Sequence, residues 1–191
     1  MRGVDYAESL EFIERVFGST TEHDVELRSF ADASTNGGKP RAVFGRDFDD
    51  FEAHLTRFDE AGRGMYYGVC TRQERKGRGR REDLVECAAI WTDIDGYHIG
   101  AEKDEIISAL QAAYFPPSVI VDSGGGIQAL WMLSEAVDVS EVGGEAEDTI
   151  LDVVRRIGGV FCGDPKVVDL ARVMRLPGTI NAKHGEVRRA H

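Results

Sequence analysis

Residues 84–96 read LVECAAIWTDIDG, a run of apolar side chains that ends in two aspartates. A run of this length predicts a central β-strand that is buried on both faces. Side chains two apart on a strand share a face, so Asp93 and Asp95 should project together from its end. A divalent cation would relieve their mutual repulsion, and oxygen donors favour Mg²⁺ or Mn²⁺. The alternative is an ordinary strand end with two solvated acids.

Helical and strand patterns flank this central strand on both sides. Apolar residues at three- and four-residue intervals predict helices over residues 5–17, 48–61, 102–114 and 140–157. Alternating or continuous apolar runs predict strands over residues 25–30, 41–45, 65–70, 118–122 and 127–133. Residues 158–184 predict a strand, a short helix, another strand and a loop. This order indicates an α+β or α/β fold around a mixed sheet, with Tyr66 and Tyr67 of the strand 65–70 in its core.

Composition and charge narrow the class of protein. The chain has 191 residues, of which 42% are hydrophobic, and this size fits one globular domain. No apolar stretch approaches the roughly 20 residues of a membrane span, and no signal peptide is present, so a cytoplasmic location is expected. The three cysteines are far apart without a CxxC pair, which argues against a structural zinc site or a disulfide framework.

The charges are segregated along the chain, although the formal net charge is −11. Residues 134–152 hold seven acids and no base, whereas basic residues dominate from Lys166 onward. A basic island at residues 72–81 comprises Arg72, Arg75, Lys76, Arg78, Arg80 and Arg81. These side chains could contact the phosphates of a nucleic acid, or they could belong to a solvated loop.

A glycine-rich turn, DSGGGIQ, spans residues 122–128. Consecutive glycines can expose backbone N–H groups in a concavity that binds anions, and a serine hydroxyl and a glutamine amide would add polar groups. The candidate residues are Ser123, Gly124, Gly125, Gly126 and Gln128. The turn lacks the Walker A and dinucleotide-binding glycine patterns, and a plain hairpin turn is the alternative.

A third polar cluster lies within twenty residues near the end of the chain. It contains Asp164, Asp169, Arg172, Arg175, Asn181 and Lys183. Guanidinium groups match phosphate oxygens in bidentate fashion, so this cluster could neutralise much of a triphosphate. Together with the paired aspartates and the glycine turn, it supplies the parts of a nucleotidyl-transfer site.

The segments WTDIDG, SGGGIQALW and GDPKVVDLARVMRLPGTINAK, in this order and spacing, resemble the three motifs of archaeo-eukaryotic-type primases. The resemblance covers about residues 25–185 and is greatest to the RepB-like primase-polymerase domains of phages and plasmids. It implies an α+β fold in one catalytic domain, 1–191. A smaller N-terminal α/β module (1–83) would accompany an RRM-like catalytic module (84–191) with a mixed or antiparallel sheet.

The resemblance also implies roles for individual residues. Asp93, Asp95 and Asp164 match the acids that hold two Mg²⁺ or Mn²⁺ ions, with Asp169 as the alternative third ligand. The nucleotide would be bound by Ser123, Gly124, Gly125, Gly126, Gln128, Arg172, Arg175, Asn181 and Lys183. Gln128 stands where cellular primases have a histidine that contacts the triphosphate, and its neutral amide implies weaker affinity.

The implied activity is primer synthesis or extension on a single-stranded DNA template from nucleoside triphosphates. A fused or associated replicative helicase is an expected partner, and a bacterial, archaeal, plasmid or phage origin is implied. Two alternatives remain open from the residues alone. One is a non-catalytic nucleotide- or DNA-binding module with a degenerate site, and the other is a metal-dependent nucleotide-sugar transferase, in which Asp-x-Asp is also a metal motif.

Overall fold

The computed structural model describes residues 6–20, 23–31, 38–59, 62–73, 80–181 and 188–189. The helices are α1 (Ala7–Phe17), α2 (Phe48–Asp59), α3 (Gly96–Ile99), α4 (Lys103–Gln111) and α5 (Glu145–Phe161). The strands are β1 (Val25–Phe30), β2 (Arg41–Gly45), β3 (Gly64–Gly68), β4 (Cys70–Arg72), β5 (Leu84–Ile94), β6 (Val119–Asp122), β7 (Ile127–Asp138), β8 (Val173–Arg175), β9 (Ile180–Asn181) and β10 (Arg188–Arg189). Short 3₁₀ turns cover Arg81–Asp83 and Pro165–Val167.

Two antiparallel sheets organise the described part of the chain. The N-terminal sheet has the strand order β2-β1-β3-β8, and the central sheet has the order β4-β5-β7-β6. Strand β4 precedes the expected module boundary at residues 83 and 84 but pairs with β5, and β8 follows that boundary but pairs with β3. Each sheet therefore takes one strand from the other half of the chain. The mixture of helices with antiparallel sheets confirms the α+β class.

One face of the N-terminal sheet forms the main core with α1 and α2. The fully buried side chains of Leu27, Met65 and Tyr67 lie on this face. The Phe12 ring of α1 packs edge-on against Tyr67, with ring centroids 4.8 Å apart. These contacts explain the helical spacing of the apolar residues, because each helix places one stripe of them against the sheet.

The central strand is buried as the sequence predicts. Trp91 in the middle of β5 is 1% exposed, and its indole Nε1 donates to the carbonyl oxygen of Val167 at 2.9 Å. Helix α5 covers this strand, and a smaller apolar cluster lies beneath α4 around Ile106 and Leu110. No helix in the described ranges is long and apolar enough to cross a membrane.

Three sequence predictions about secondary structure were wrong. Strand β7 runs on to Asp138, well past residue 133, because its pairing with β5 resumes after a register shift. Helix α5 begins at Glu145, so Val142 lies outside it and is 57% exposed. The helix also continues through the glycines at 158 and 159 to Phe161, whose ring stacks on Trp131 at 5.7 Å. The strand predicted after residue 157 is therefore helical.

Candidate functional site

A cavity of about 360 Å³ lies between the ends of the two sheets and collects most of the polar residues that the sequence singles out. The predicted residues that line it are Asp93, Asp95, Ser123, Gly125, Gly126, Gln128, Asp164, Arg172, Arg175 and Asn181. Tyr66, His98, Val173 and Met174 complete the lining. The three sequence clusters are therefore brought to one place by the fold.

The three acids approach the cavity from two adjoining segments. Asp93 is on β5, whereas Asp95 lies just beyond the strand and caps α3 by accepting a hydrogen bond from the Tyr97 N–H at 3.0 Å. The backbone N–H of Asp164 donates to the carbonyl oxygen of Asp93 at 2.8 Å, which holds the two residues side by side. Burial, and after it the charge of Asp93, raises the pKa of the neighbouring Tyr67 phenol.

The two candidates for the third acid differ in position. Both cap short turns, since a carboxylate oxygen of each accepts a hydrogen bond at 2.9 Å, Asp164 from the Lys166 N–H and Asp169 from the Ala171 N–H. Asp164 is half-buried and lines the cavity, whereas Asp169 is exposed and is not among the lining residues. The position of Asp164 favours it as the third ligand.

The carboxylates of the three acids differ from a complete metal site in their spacing but not in their donor atoms. In the part of the chain that the structure describes, no three Asp, Glu, His or Cys side chains are clustered closely enough to hold a metal ion. The carboxylates of Asp93, Asp95 and Asp164 nevertheless offer the hard oxygen donors that Mg²⁺ and Mn²⁺ prefer. The donor chemistry fits such a cation, while the closed cluster is not preformed.

The glycine turn is held rigid by hydrogen bonds of its own. The Ser123 hydroxyl donates to the Gly126 carbonyl at 2.9 Å and accepts from the Gly126 N–H at 3.0 Å. The Gly124 N–H donates to the Asp122 carboxylate at 2.7 Å. Two of the three glycine N–H groups are thus paired inside the turn, which corrects the expectation of an open row of donors. Gly125 is the exposed member and faces the cavity.

Two of these glycines are required by the backbone geometry. Gly124 has φ +84°, a conformation that side chains with a Cβ rarely adopt. A Cβ at Gly126 would lie 2.6 Å from the carbonyl oxygen of Ile94, because the turn packs against the end of β5. Lys103 of α4 supports the turn from outside, since its Nζ lies 2.5 Å from Asp122 Oδ1 and 3.1 Å from the Gly124 carbonyl oxygen.

Arg175 links the turn to the N-terminal sheet. It is 3% exposed, and its guanidinium stacks 4.3 Å from the centroid of the Tyr66 ring while donating to the Tyr66 hydroxyl at 2.7 Å. It also donates to Asn181 Oδ1 at 3.3 Å, and Asn181 Nδ2 donates to the Ser123 carbonyl at 2.5 Å. This chain of contacts joins Tyr66 of the N-terminal sheet to Ser123 of the glycine turn.

Arg172 is less constrained than Arg175. Its side chain lines the cavity and is half-buried, and its Nε has no hydrogen-bond partner among the described residues. A buried guanidinium N–H without a partner is costly. Arg172 is therefore the arginine best suited to receive an anionic ligand.

Gln128 is engaged by the protein main chain. It is 4% exposed, and in the amide orientation that satisfies both partners its Nε2 donates to the Arg175 carbonyl and its Oε1 accepts from the Arg175 N–H, each at 3.2 Å. The amide thereby joins β7 of the central sheet to β8 of the N-terminal sheet. A direct contact between Gln128 and a triphosphate remains a prediction.

Three further residues at or beside the cavity were not assigned to the site from sequence. Tyr66 lines the cavity, whereas only Tyr67 belongs to the core, so the core assignment of Tyr66 was wrong. His98, whose side chain is 76% exposed, places Nε2 3.4 Å from Asp95 Oδ2. In the sequence, Lys103 is only a charged residue at the start of a predicted helix, and no motif indicates that it contacts the glycine turn. The alternation of β3 could have flagged Tyr66, because neighbouring strand residues face opposite sides.

The basic island differs from its sequence interpretation. Arg72 is 1% exposed and forms an ion pair with the buried Glu26, with Nε and Oε2 2.6 Å apart, so it cannot reach DNA phosphates. The guanidinium of Arg81 is held by Glu147 at 2.7 Å and by the Val139 carbonyl at 2.7 Å. Arg80 is exposed. The remaining predicted residues Arg75, Lys76, Arg78 and Lys183 lie outside the described residues.

Comparisons with known proteins identify other structures with this fold. The archaeo-eukaryotic primase domain of the cyanophage S-2L primase-polymerase superposes with a TM-score of 0.73 at 19% identity, over 98% of this chain and 89% of that one. The catalytic domain of primase RepB′, solved in complex with initiator DNA, superposes with a TM-score of 0.62 at 16% identity, over 96% of this chain and 83% of that one.

A curated relative was found by sequence, whereas no family model matches the chain. This relative is a replication protein of Clostridium perfringens, 26% identical over 113 residues that make up 54% of this chain. The chain spans about a quarter of that protein, since the match covers 26% of its length. The extent of both superpositions shows that this chain adopts the archaeo-eukaryotic primase fold.

Proposed function

We propose that this chain catalyses template-dependent nucleotidyl transfer, making or extending primers on single-stranded DNA from nucleoside triphosphates. One observation carries the proposal. A single cavity is lined by Asp93, Asp95 and Asp164 together with Gly125 and Gly126 of the glycine turn, Arg172 and Arg175. Acids for a cation beside donors for phosphates are what transfer of a nucleotidyl group requires.

The aspartates and the hydrogen-bond donors of the cavity have different roles in the proposed reaction. Asp93, Asp95 and Asp164 would hold Mg²⁺ or Mn²⁺, which when bound polarises the phosphate and lowers the pKa of the attacking 3′-hydroxyl. Arg172, whose Nε–H has no partner among the described residues, would donate it to a phosphate oxygen, and the N–H of the exposed Gly125 would add a second donor. Arg175 would hold Tyr66 and Asn181 in place, and through Asn181 the glycine turn, so that the donors that bind the phosphates keep their positions.

The comparisons support DNA as the partner. The structure of RepB′ contains initiator DNA, and the curated relative is named a replication protein. We infer from these that a DNA strand is the template and that the site of action is the cytoplasm of a host cell. The additional length of the curated relative is consistent with a linked helicase or other replication domain.

Primer synthesis on unprimed single-stranded DNA, with labelled nucleotides and Mn²⁺ or Mg²⁺, tests the proposal. Asp93→Asn and Asp164→Asn should each reduce product more than about 100-fold, because each replaces a charged carboxylate with a neutral amide that is a much weaker ligand for Mg²⁺ or Mn²⁺. Asp169→Asn is the matched control, since it removes a similar turn-capping carboxylate outside the cavity. Calorimetric titration with Mn²⁺ and a triphosphate should show weaker metal binding for Asp164→Asn and unchanged binding for Asp169→Asn.

The same assays distinguish a second candidate function from nucleotidyl transfer. A non-catalytic nucleotide- or DNA-binding module is favoured by the absence of a preformed three-carboxylate cluster among the described residues. Metal-dependent triphosphate binding with no product from either unprimed or primed templates would refute catalysis and support this candidate. Product from primed templates alone would support a polymerase that extends primers. A nucleotide-sugar transferase has no support in the fold comparisons.

A further inference from the structure

Two of the three cysteines lie opposite each other in the core. Cys70 on β4 and Cys87 on β5 are 17 positions apart in the chain, yet the pairing register sets them directly opposite each other. Directly opposed residues on antiparallel strands point to the same side of a sheet. Both side chains are fully buried and belong to the main apolar core, so each thiol has the other as a neighbour.

The backbone spacing of such a pair fits a disulfide bond. Directly opposed residues on antiparallel strands have Cα atoms about 4.5–5.5 Å apart. Disulfide-bonded cysteines have Cα atoms about 4.4–6.8 Å apart. The register shift in this ladder lies between Cys70 and Arg72 and leaves the cysteine pair itself aligned. A bond between the two sulfur atoms therefore requires no movement of either strand.

The two thiols already interact with each other. Cys70 forms a side-chain hydrogen bond with Cys87, and the Cys87 thiol donates to the Ala89 carbonyl at 3.2 Å. The hydrogen bond between the thiols raises the pKa of Cys70, to which burial adds, and it lowers the pKa of Cys87. Cys87 is therefore the sulfur that ionises more readily, and Cys70 is the one that retains its proton.

We propose that Cys70 and Cys87 form a reversible disulfide bond when the chain is exposed to hydrogen peroxide. The Cys87 thiolate attacks a peroxide oxygen, the O–O bond breaks, and a sulfenic acid and a hydroxide ion result. The hydroxide takes up the proton that the Cys87 thiol released and leaves as water. The Cys70 sulfur then attacks the sulfenic sulfur, and the S–O bond breaks.

The reaction is balanced without any further reactant. The oxygen of the sulfenic acid leaves with its own proton and that of the Cys70 thiol as a second water. Two thiols and one peroxide thus give one disulfide and two waters, with the sulfurs oxidised and the peroxide reduced. A dithiol reductant reverses the reaction by thiol–disulfide exchange.

The burial of the pair sets the rate of this reaction. β4 has only three residues and lies at the edge of the central sheet, and such segments open locally more easily than central strands do. Peroxide reaches the pair through this opening, whereas Cys162 at the end of α5 is exposed at all times. Oxidation of the pair should therefore be slower than oxidation of Cys162.

The bond would connect the two halves of the chain covalently. β4 belongs to the N-terminal half, and β5 carries Asp93 of the cavity. Closing the loop between residues 70 and 87 restricts the unfolded chain, so oxidation should raise the midpoint of urea unfolding by about 1.5 M. The same peroxide treatment of Cys70→Ala should leave its midpoint unchanged, which separates the effect of the bond from other oxidative changes.

Peptide mapping of the wild-type chain by mass spectrometry, after treatment with hydrogen peroxide, is the decisive experiment. The expected result is a cross-linked peptide that contains Cys70 and Cys87, has lost two hydrogen atoms and is restored by dithiothreitol. The matched variants Cys70→Ala and Cys87→Ala should each give no such peptide. Cys162 serves as the internal reference, because its exposed thiol shows that the peroxide was effective.

Two results would overturn the proposal. One is that Cys70 and Cys87 remain thiols after Cys162 is fully oxidised and β4 has been given time to open in dilute urea. The other is that they become sulfinic acids, or join Cys162, without forming a bond to each other. The mapping uses the wild-type chain, so it stands even if an alanine variant does not fold. None of these measurements depends on nucleotidyl transfer, so the proposed function is tested separately.

Discussion

The hydrogen bonds between Gln128 and the Arg175 main chain predict a large loss of stability for Gln128→Leu. Leucine has a similar size but cannot donate or accept, so the Arg175 N–H and C=O would both lose their side-chain partner in a buried position. Each buried polar group left unsatisfied costs about 1–3 kcal/mol. The two groups together therefore cost about 2–6 kcal/mol. The added apolar burial offsets about 1–2 kcal/mol of this, so the free energy of unfolding should fall by about 2.5 kcal/mol at the centre of these ranges.

Urea unfolding followed by the fluorescence of the buried Trp91 measures this change. Gln111→Leu at the exposed end of α4 is the matched control and should alter the unfolding free energy by less than about 0.5 kcal/mol. Gln128→Leu with wild-type stability but weaker triphosphate binding would refute the reasoning. It would show that Gln128 acts on the nucleotide and does not join the two sheets.

Four other substitutions probe the interior and the glycine turn. Arg72→Met should destabilise the fold by about 3 kcal/mol in urea unfolding, because Glu26 would keep a buried charge with one partner fewer. It should not change the salt dependence of DNA binding, and a changed slope would contradict the burial argument. Burial lowers the pKa of His54 from 6.5 to about 4. The His54 imidazole therefore binds a proton near pH 6.5 in the unfolded chain but only near pH 4 in the native state. Because the unfolded state binds more protons between these values, the free energy of unfolding falls as the pH drops from about 6.5 to about 4. In His54→Gln, the loss in unfolding free energy between pH 7.5 and pH 5 should shrink by about 2 kcal/mol; an unchanged loss would mean that other groups cause it. Gly126→Ala should weaken calorimetric triphosphate binding, because its Cβ would lie 2.6 Å from a β5 carbonyl oxygen, whereas Gly125→Ala has open space and should bind normally.

The sequence predicted which polar residues line the cavity better than it predicted their hydrogen-bond partners. Asp93, Asp164 and Arg172 lie in patterns whose residue types already suggest a ligand. The amide of Gln128 looks equally suited to a ligand, yet it is used by a backbone segment 47 positions away in the chain. Such a partnership depends on how the two sheets meet, and no local pattern encodes it.

The errors in secondary structure have a similar physical origin. Gly158 and Gly159 suggest the end of a helix, because glycine is a poor helix former. In the fold, α5 passes close to β5 at this point, and a Cβ at Gly158 would lie 4.0 Å from Thr92 Oγ1. Tertiary packing thus overrides local propensity. Tyr66 was misplaced because both tyrosines of β3 are apolar enough for the core, and only the strand register decides which one faces it.

The exchange of β4 and β8 between the sheets affects how the molecule can move. Neither half of the chain carries all the strands of its own sheet, so backbone hydrogen bonds between β4 and β5 and between β8 and β3 connect the two halves. Arg175 lies on β8 of the N-terminal sheet, and Asp93 lies on β5 of the central sheet. Separating the two halves would have to break the pairing of β4 with β5 or that of β8 with β3. A change of rotamer at a lining side chain such as the exposed His98 would leave both pairings intact.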